Sequence, residues 1–397
     1  MITSMDYPEI VLKPKEEGRL QGGHLWAFSN EVASAPANIP AGTLADLYKD
    51  GKGFLGRGFY HPHSLIAFRI LTDQKDQEID VPFFEKRFTK ALDWREELYP
   101  DCRAYRLIFG ESDELPGLIV DRYGDYLSVQ VLSAGMERLQ DVILTALQNV
   151  ALPKGILWRA DATLRELEGL PIEASKVVRG DIPPRIDIHT ENGYFSVDLY
   201  GGQKTGFYFD QRDNRQALAP YCKGMRVLDA FCYSGGFGIA AGRAGAREVV
   251  FVDSSHAALE LAQANAERNQ LAGKFTCVEG DVPALLAAAP PGGPFDVISI
   301  DPPAYARSKK NLIVALKAYE KLNSLAMKSL KPGGILATSS CSHHVDRGLF
   351  IQMLRKSAHK AGKNFRLLEL RSQAKDHPIL LAMPETEYLK CAILQVL

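Results

Sequence analysis

The chain has 397 residues, 46% of them hydrophobic and 24% charged, with 47 Lys and Arg against 48 Asp and Glu for a net charge of −1. That length and mix predict two or three globular domains with cores of ordinary size, and they exclude disorder, fibrous repeats and a disulfide-dependent scaffold. With the charges balanced there is no whole-protein field for nucleic acid, so any nucleic-acid contact has to come from local patches. No apolar run approaches the roughly 18–20 residues that span a bilayer. The first residues, Met1-Ile2-Thr3-Ser4-Met5-Asp6, lack the charged and apolar regions of a signal peptide. A cytoplasmic enzyme without a membrane partner is expected. The six cysteines, at 102, 222, 232, 277, 341 and 391, contain no Cys-x-x-Cys pair. They read neither as a disulfide framework nor as a zinc site, and no metal is expected.

Residues 8–72 are short apolar runs broken by Gly and Pro, such as 10–12, 44–48, 54–60 and 65–70, and predict a small β-barrel. From 82 to 98 the apolar residues Phe84, Phe88, Ala91 and Leu92 recur at helical spacing. Residues 103–186 alternate strand and helix: a hairpin of 117–121 and 126–132 around Gly124, a helix at 137–147 and a strand at 155–159. A second hairpin, 185–190 with 194–199, turns at Glu191-Asn192-Gly193. From Met225 onward, strands at 226–230, 248–253, 275–279, 297–301, 335–340, 365–370 and 389–396 alternate with helices that include 236–243, 256–269 and 312–330. That alternation predicts a doubly wound α/β sheet. The domains expected are therefore 1–75, 76–186 and 187–397.

The segment Val227–Gly238 is an apolar strand that ends in a glycine-rich turn into a helix. Glycines permit close backbone approach to a ligand, and the helix start offers unpaired N–H groups. The spacing is Gly-Gly-x-Gly instead of the dinucleotide Gly-x-Gly-x-x-Gly, and the carboxylate of Asp229 at the strand end would repel phosphate. A cationic, phosphate-free cofactor, S-adenosyl-L-methionine, suits this turn better. Asp253 ends the second strand, where a carboxylate commonly accepts ribose hydroxyls. Asp281 ends the third, within reach of an adenine amino group. Phe231, Tyr233, Ser234, Gly235 and Gly236 of the turn, and Ser254 beside Asp253, complete the expected cofactor-binding set.

Ligands of doubly wound sheets sit outside the carboxyl ends of the strands. Asp301, which closes the fourth strand and precedes Pro302 and Pro303, therefore falls at the reaction centre. The two prolines stiffen a turn that aims carbonyls and a carboxylate at a planar amine or ring nitrogen, and Tyr305 is placed to stack on a base. After the fifth strand comes Ser340-Cys341-Ser342-His343-His344. A thiolate at Cys341 beside the Asp-Pro-Pro loop suits covalent attack on pyrimidine C6, although a lone cysteine is as often structural. The two histidines lack a third ligand and read as structural or phosphate-contacting. Arg307, Lys309, Lys310 and Lys317 form a basic run, and residues 203–215 mix aromatic with charged side chains, as RNA contact requires.

Together, Lys204-Thr205-Gly206-Phe207-Tyr208-Phe209-Asp210-Gln211-Arg212, Asp229–Gly236, Asp301-Pro302-Pro303, Ser340–His344, Asp376-His377-Pro378 and Glu385–Lys390 resemble the ribosomal RNA large-subunit methyltransferase I family over essentially the whole chain. The resemblance implies an N-terminal PUA β-barrel, a small central α/β domain and a C-terminal Rossmann-like class I methyltransferase. It also implies 5-methylcytidine formation in 23S ribosomal RNA from S-adenosyl-L-methionine. Carried over by position, Cys341 is the nucleophile and Asp301 the carboxylate facing cytosine. Asp229, Tyr233, Asp253 and Asp281 line the cofactor, while Lys204, Phe207 and Arg212 close over cofactor and base. Pro302, Pro303, Tyr305, Arg307, Lys309 and Lys310 are the expected RNA contacts. Many RNA cytosine-C5 methyltransferases carry a second cysteine after the fourth strand, whereas this chain has Ala304, so the base that removes the C5 proton is not assigned. Two other readings stay open: methylation of a purine amine or ring nitrogen through Asp301, and a catalytically silent RNA-binding assembly factor. A homodimer is compatible with the sequence.

Overall fold

A computed structural model describes residues 7–50, 53–202, 205–288, 292–306 and 309–397. The chain divides into two compact units. The first comprises Met1–Ile186, Asp198–Gly206 and Asp376–Thr386, and the second Asp187–Val197, Phe207–Lys375 and Glu387–Leu397.

The first unit begins with β1 (Glu9–Leu12), the single turn α1 (Gly18–Gln21), β2 (Trp26–Phe28), β3 (Val32–Ser34), β4 (Thr43–Lys49), β5 (Gly53–Tyr60) and β6 (Ile66–Thr72). The strands order as β2-β6-β5-β4-β1-β3, and only β1 and β4 run parallel. Their apolar side chains, among them Ile10, Leu12, Ala27, Leu47, Phe68 and Ile70, form one buried cluster. Helix α2 (Val81–Leu98) starts where the sequence pattern changes. The Asp80 side chain accepts the Phe83 N–H at 3.0 Å, Pro82 occupies the first turn, and Phe84, Phe88, Ala91 and Arg95 are buried.

A second sheet follows, in the order β11-β10-β9-β8-β7, from β7 (Ala104–Phe109), β8 (Leu118–Tyr123), β9 (Tyr126–Val131), β10 (Gly155–Arg159) and β11 (Lys176–Gly180). The single helix expected at 137–147 is two, α3 (Ala134–Arg138) and α4 (Gln140–Ala151). Leu139, at φ −96° and ψ 17°, leaves the helical region and ends one helix while starting the other. Within this unit, buried ions make the longest-range ties. The Glu168 carboxylate takes Ser64 Oγ and Arg69 Nη2, each at 2.9 Å. Asp376 accepts the Arg106 N–H at 3.0 Å and bonds the ring of His377 at 2.8 Å, while its carbonyl takes Arg95 Nη2 at 3.1 Å.

The second unit opens with a two-stranded hairpin, β12 (Ile186–Thr190) and β13 (Gly193–Val197), which turns at Glu191-Asn192 with Gly193 opening the return strand, within the Glu191-Asn192-Gly193 stretch that the sequence predicts. Its remaining elements are α5 (Arg212–Leu218), β14 (Arg226–Ala230), α6 (Gly236–Arg243), β15 (Glu248–Asp253), α7 (His256–Arg268), β16 (Phe275–Glu279), α8 (Val282–Ala287), β17 (Phe295–Ile300), α9 (Leu312–Lys328), β18 (Leu330–Ser340), α10 (Arg347–Ala361), β19 (Phe365–Arg371) and β20 (Lys390–Val396). Asn265 and Asn269 of α7 strap the hairpin down by accepting the N–H groups of Ser196 and Tyr194. The seven strands order as β16-β15-β14-β17-β18-β20-β19, parallel from β16 through β18, with β20 antiparallel to both its neighbours. This is a doubly wound Rossmann-like sheet whose strand order reverses between β14 and β17, the place where such sheets open a ligand crevice. No helix among the described residues is long and apolar enough to cross a membrane. Ile298, fully buried on the central strand β17, sits in the core of this unit. Ile298→Ala should lower stability by about 2–5 kcal/mol in urea unfolding, the cost of the lost side-chain burial and the cavity left behind.

Candidate active site

The crevice is built on the turn that leaves β14. Phe231, Tyr233 and Gly235 have φ values of 61°, 47° and 82°, so three of five consecutive residues are left-handed and two of them are not glycine. That backbone is strained and persists only where its surroundings over-determine it. Here they do. Cys232 N–H donates to Val252 O at 3.1 Å, Gly235 N–H to Cys232 O at 2.8 Å, and Tyr233 N–H to Asp253 Oδ2 at 3.0 Å. The other carboxylate oxygen of Asp253 takes the Ser255 N–H at 3.0 Å, which fixes its plane at the end of β15. Gly236, the first residue of α6, is required by packing, because a Cβ there would lie 2.6 Å from Arg215 Nε.

Asp229 is buried beneath this turn. Its carboxylate accepts the Gly238 N–H at 2.7 Å and the Ser299 hydroxyl at 2.9 Å, joining β14 to α6 and β17. Burial pushes the carboxyl up to about 7, against the opposing pull of those two donors and of Arg215. Arg215 is itself buried over the rings of Phe207 (4.9 Å) and Phe237 (5.8 Å). Burial lowers it to about 10 while Asp210, Asp301 and Asp229 hold it cationic. Phe207 is buried against Phe195 and Phe209, with centroids 4.9 and 5.2 Å away. Tyr208 meets Tyr233 edge-on at 5.3 Å, its phenol driven strongly upward by burial and then by the charges of Asp301, Asp210 and Cys341.

Asp301 follows β17 directly, and its N–H reaches back to Ala230 O at 3.4 Å. Pro302 is buried and Pro303 exposed. Cys341, partly buried, leaves the neighbouring strand β18. A small polar latch joins the two loops: Tyr319 Oη and Ser342 Oγ are 3.0 Å apart, Ala306 N–H donates to Ser342 Oγ at 3.2 Å, and Tyr305 N–H donates to Tyr319 Oη at 3.4 Å. The Tyr305 ring lies on Tyr319 at 4.7 Å, and burial raises its phenol to about 12.

The structure thus gathers Asp229, Phe231, Tyr233, Ser234, Gly235, Gly236, Asp253, Asp301 and Cys341 at the carboxyl ends of β14, β15, β17 and β18. Some expected residues carry other duties. Asp281 caps α8, accepting the Ala284 N–H at 2.9 Å, and Ser254 is exposed. Arg212 is buried, paired with Glu191 at 3.2 Å and lying over Phe209. Lys310 is exposed ahead of α9, whereas Lys204 and Arg307 lie outside the described residues. Four contributors were not singled out from sequence. Ser299 carries a weak signal, a hydroxyl inside an apolar strand. Tyr319 reads as an ordinary apolar helix position, and Ser342 and Lys390 show nothing locally. The raised carboxyl of Asp229 has a measurable consequence. A proton retained by the folded state up to about pH 7, but released near pH 3.8 on unfolding, favours folding below that window and is lost as a stabilising term across it. Asp229→Asn should therefore gain stability on the wild type as pH rises from about 4 to 7, checked by parallel thermal unfolding across that range.

Residues 10–73 match the model of a PUA-like domain, and residues 214–374 match the model described as conserved hypothetical protein 95. "Ribosomal RNA large subunit methyltransferase I" of Aeromonas hydrophila is 43% identical over 96% of this chain and 97% of its own length. The proteins of the same name from Photobacterium profundum and Klebsiella pneumoniae are 42% identical (96% of this chain, 97% of theirs) and 40% identical (98% of each). A structure described as a SAM-dependent methyltransferase from Streptococcus mutans superposes with a TM-score of 0.83 at 23% identity, covering 98% of this chain and all of that one. A methyltransferase crystallised with SAH superposes at 0.82 and 24%, with the same coverage. These two likenesses show the fold. With full-length identity of this degree to its named relatives, the chain belongs to the ribosomal RNA large subunit methyltransferase I family.

Proposed function

We propose that this protein is an S-adenosyl-L-methionine-dependent methyltransferase of large-subunit ribosomal RNA that forms 5-methylcytidine through a covalent adduct on Cys341. The observation that carries the reading is the pairing of Asp301 and Cys341 on adjacent strand ends, latched by Tyr319 and Ser342 beside the strained turn. The turn and the fixed carboxylate of Asp253 fit the cofactor. Phe231–Gly236 would offer backbone to its amino-acid end, Asp253 with Ser254 would hold the ribose, and Asp281, besides capping α8, would reach the adenine, with buried Phe207 and Arg212 backing the pocket. When bound, S-adenosyl-L-methionine supplies the methyl group.

The chain's own residues make the ring accept it. Carbon 5 of cytosine is a poor nucleophile until C6 is saturated. Cys341 attacks as thiolate and forms an S–C6 bond. The displaced π electrons make C5 nucleophilic, and Asp301 in its acid form donates its proton to N3 so that the ring carries no full negative charge, taking that proton back when the S–C6 bond breaks. Once C5 is methylated, its proton leaves to a base, the S–C6 bond breaks and the thiolate returns. The PUA-like segment, within a domain of residues 1–75, supplies RNA affinity, and Pro302, Pro303, Tyr305 and Lys310 are the described residues we assign to the target base. The cytoplasm, where ribosomes are assembled, is the compartment this substrate requires.

Cys341→Ala should abolish turnover yet retain adenosylhomocysteine affinity by calorimetry. RNA with 5-fluorocytidine at the target should trap the wild type as a denaturation-resistant adduct that the alanine variant does not form. Full methyl transfer by that variant would instead favour amine methylation through Asp301, and mass spectrometry of ribosomal RNA from cells with and without the protein would name the base. Lys310→Ala should weaken RNA binding without regard to sequence and reduce the slope of log affinity against log salt by about one, read by filter binding across a salt series.

A further inference from the structure

Lys390 opens β20 and pairs in register with Ser340, the residue that precedes Cys341. It is the one buried lysine among the described residues, 3% exposed. Its ammonium donates to Ser342 O and to Tyr388 O, each at 2.7 Å, so the groups that hold it are carbonyls and not carboxylates. Lysine is almost never buried without an anionic partner, because carbonyl dipoles alone do not repay its desolvation. The acidic groups in its field are Cys341, Glu387 and Asp346, with Arg347 opposing them. Glu387 is engaged by Arg347 at 2.7 Å, and Asp346 caps α10 by accepting the Leu349 N–H at 2.8 Å. The thiol side chain of Cys341 remains as the anion the buried ammonium can balance. Cys341 in turn bears on the phenols of Tyr208 and Tyr319, and Asp301 bears on Tyr208 from the neighbouring loop.

We propose that Lys390 is a positioning residue that holds Cys341 as a thiolate and fixes the loop bearing it, through Ser342 O, against β20. The inference rests on the reading of Cys341 as nucleophile. Burial lowers Lys390 to about 8, while negative charge at Cys341 draws the other way. Thiolate and ammonium therefore sustain each other, and removing either loosens the proton economy of its partner.

The test is the pH dependence of Cys341 alkylation by iodoacetamide in the intact protein, read by mass spectrometry of the Cys341 peptide. The wild-type midpoint should lie below the ordinary thiol value of about 8.5. Lys390→Met should raise it by about one pH unit, slowing alkylation at pH 7 about tenfold, while adenosylhomocysteine affinity shows that the fold is kept. Lys390→Arg should restore the low midpoint. A wild-type midpoint at or above the ordinary value overturns the proposal whether or not any variant folds, and so does an unchanged midpoint in a Lys390→Met protein that still binds adenosylhomocysteine. The two readings fail separately. Full turnover by Cys341→Ala would remove the nucleophile while leaving the alkylation shift in place, whereas an inactive Cys341→Ala with no effect of Lys390→Met would remove only the lysine's role.

Discussion

The second unit depends on one buried carboxylate. Asp229 takes an N–H from the first turn of α6 and a hydroxyl from β17, so a single side chain on β14 ties together the two central strands and the helix between which the crevice opens. The left-handed residues of the turn are tolerable only because both its ends are held, from below by Asp229 and from the side by Asp253. Strained backbone of this kind is stored where function requires an unusual surface, and its stability is supplied by neighbouring packing. A polar side chain buried in a sheet would ordinarily be a weakness, yet here each carboxylate oxygen has a donor.

Charge in the crevice is arranged in opposition. Asp210, Asp229 and Asp301 all draw on the guanidinium of Arg215, while Cys341 follows β18 directly and Lys390 opens the adjoining strand β20. Apolar rings, Phe207 and Phe237 against Arg215, exclude water and keep these interactions strong. The latch of Tyr319 with Ser342 serves the same end by geometry, since it holds the loops that follow β17 and β18 at a fixed separation.

Much of this was legible in the sequence, because alternation of strand and helix, a glycine-rich strand exit and acidic strand ends are local signals. The strands of the Rossmann-like sheet lie close to where period and punctuation put them, and the hairpin of β12 and β13 turns within Glu191-Asn192-Gly193. What was not legible came from tertiary pairing. The break at Leu139 has no glycine or proline to announce it. Lys331-Pro332-Gly333-Gly334, which reads as a turn, lies within the span of β18, and the pairing with β17 shifts register there. Asp281 has the sequence position of a ligand contact but the bonding of a helix cap. Lys390 looks like an ordinary charged residue at a strand start, and only its pairing with Ser340 reveals what lies beside it. Local periodicity says which face of a strand is apolar, not which strand will be its neighbour.

The path of the chain has a consequence for how the molecule assembles. Unit one is sewn from three separate stretches, and its Asp376-His377 segment docks on Arg95 and Arg106, residues 281 and 270 positions away. Contacts closed over such intervals cost loop entropy before they return any stabilisation, and they slow folding accordingly. The Arg95–Asp376 closure cannot come early. The chain must first pass through nearly the whole of the doubly wound sheet, so the finishing of one unit is timed by the folding of the other. A cut after Ile186 would leave every stretch of the second unit on one fragment but strip the first of residues 198–206 and 376–386, so the first unit cannot be made from the N-terminal piece alone.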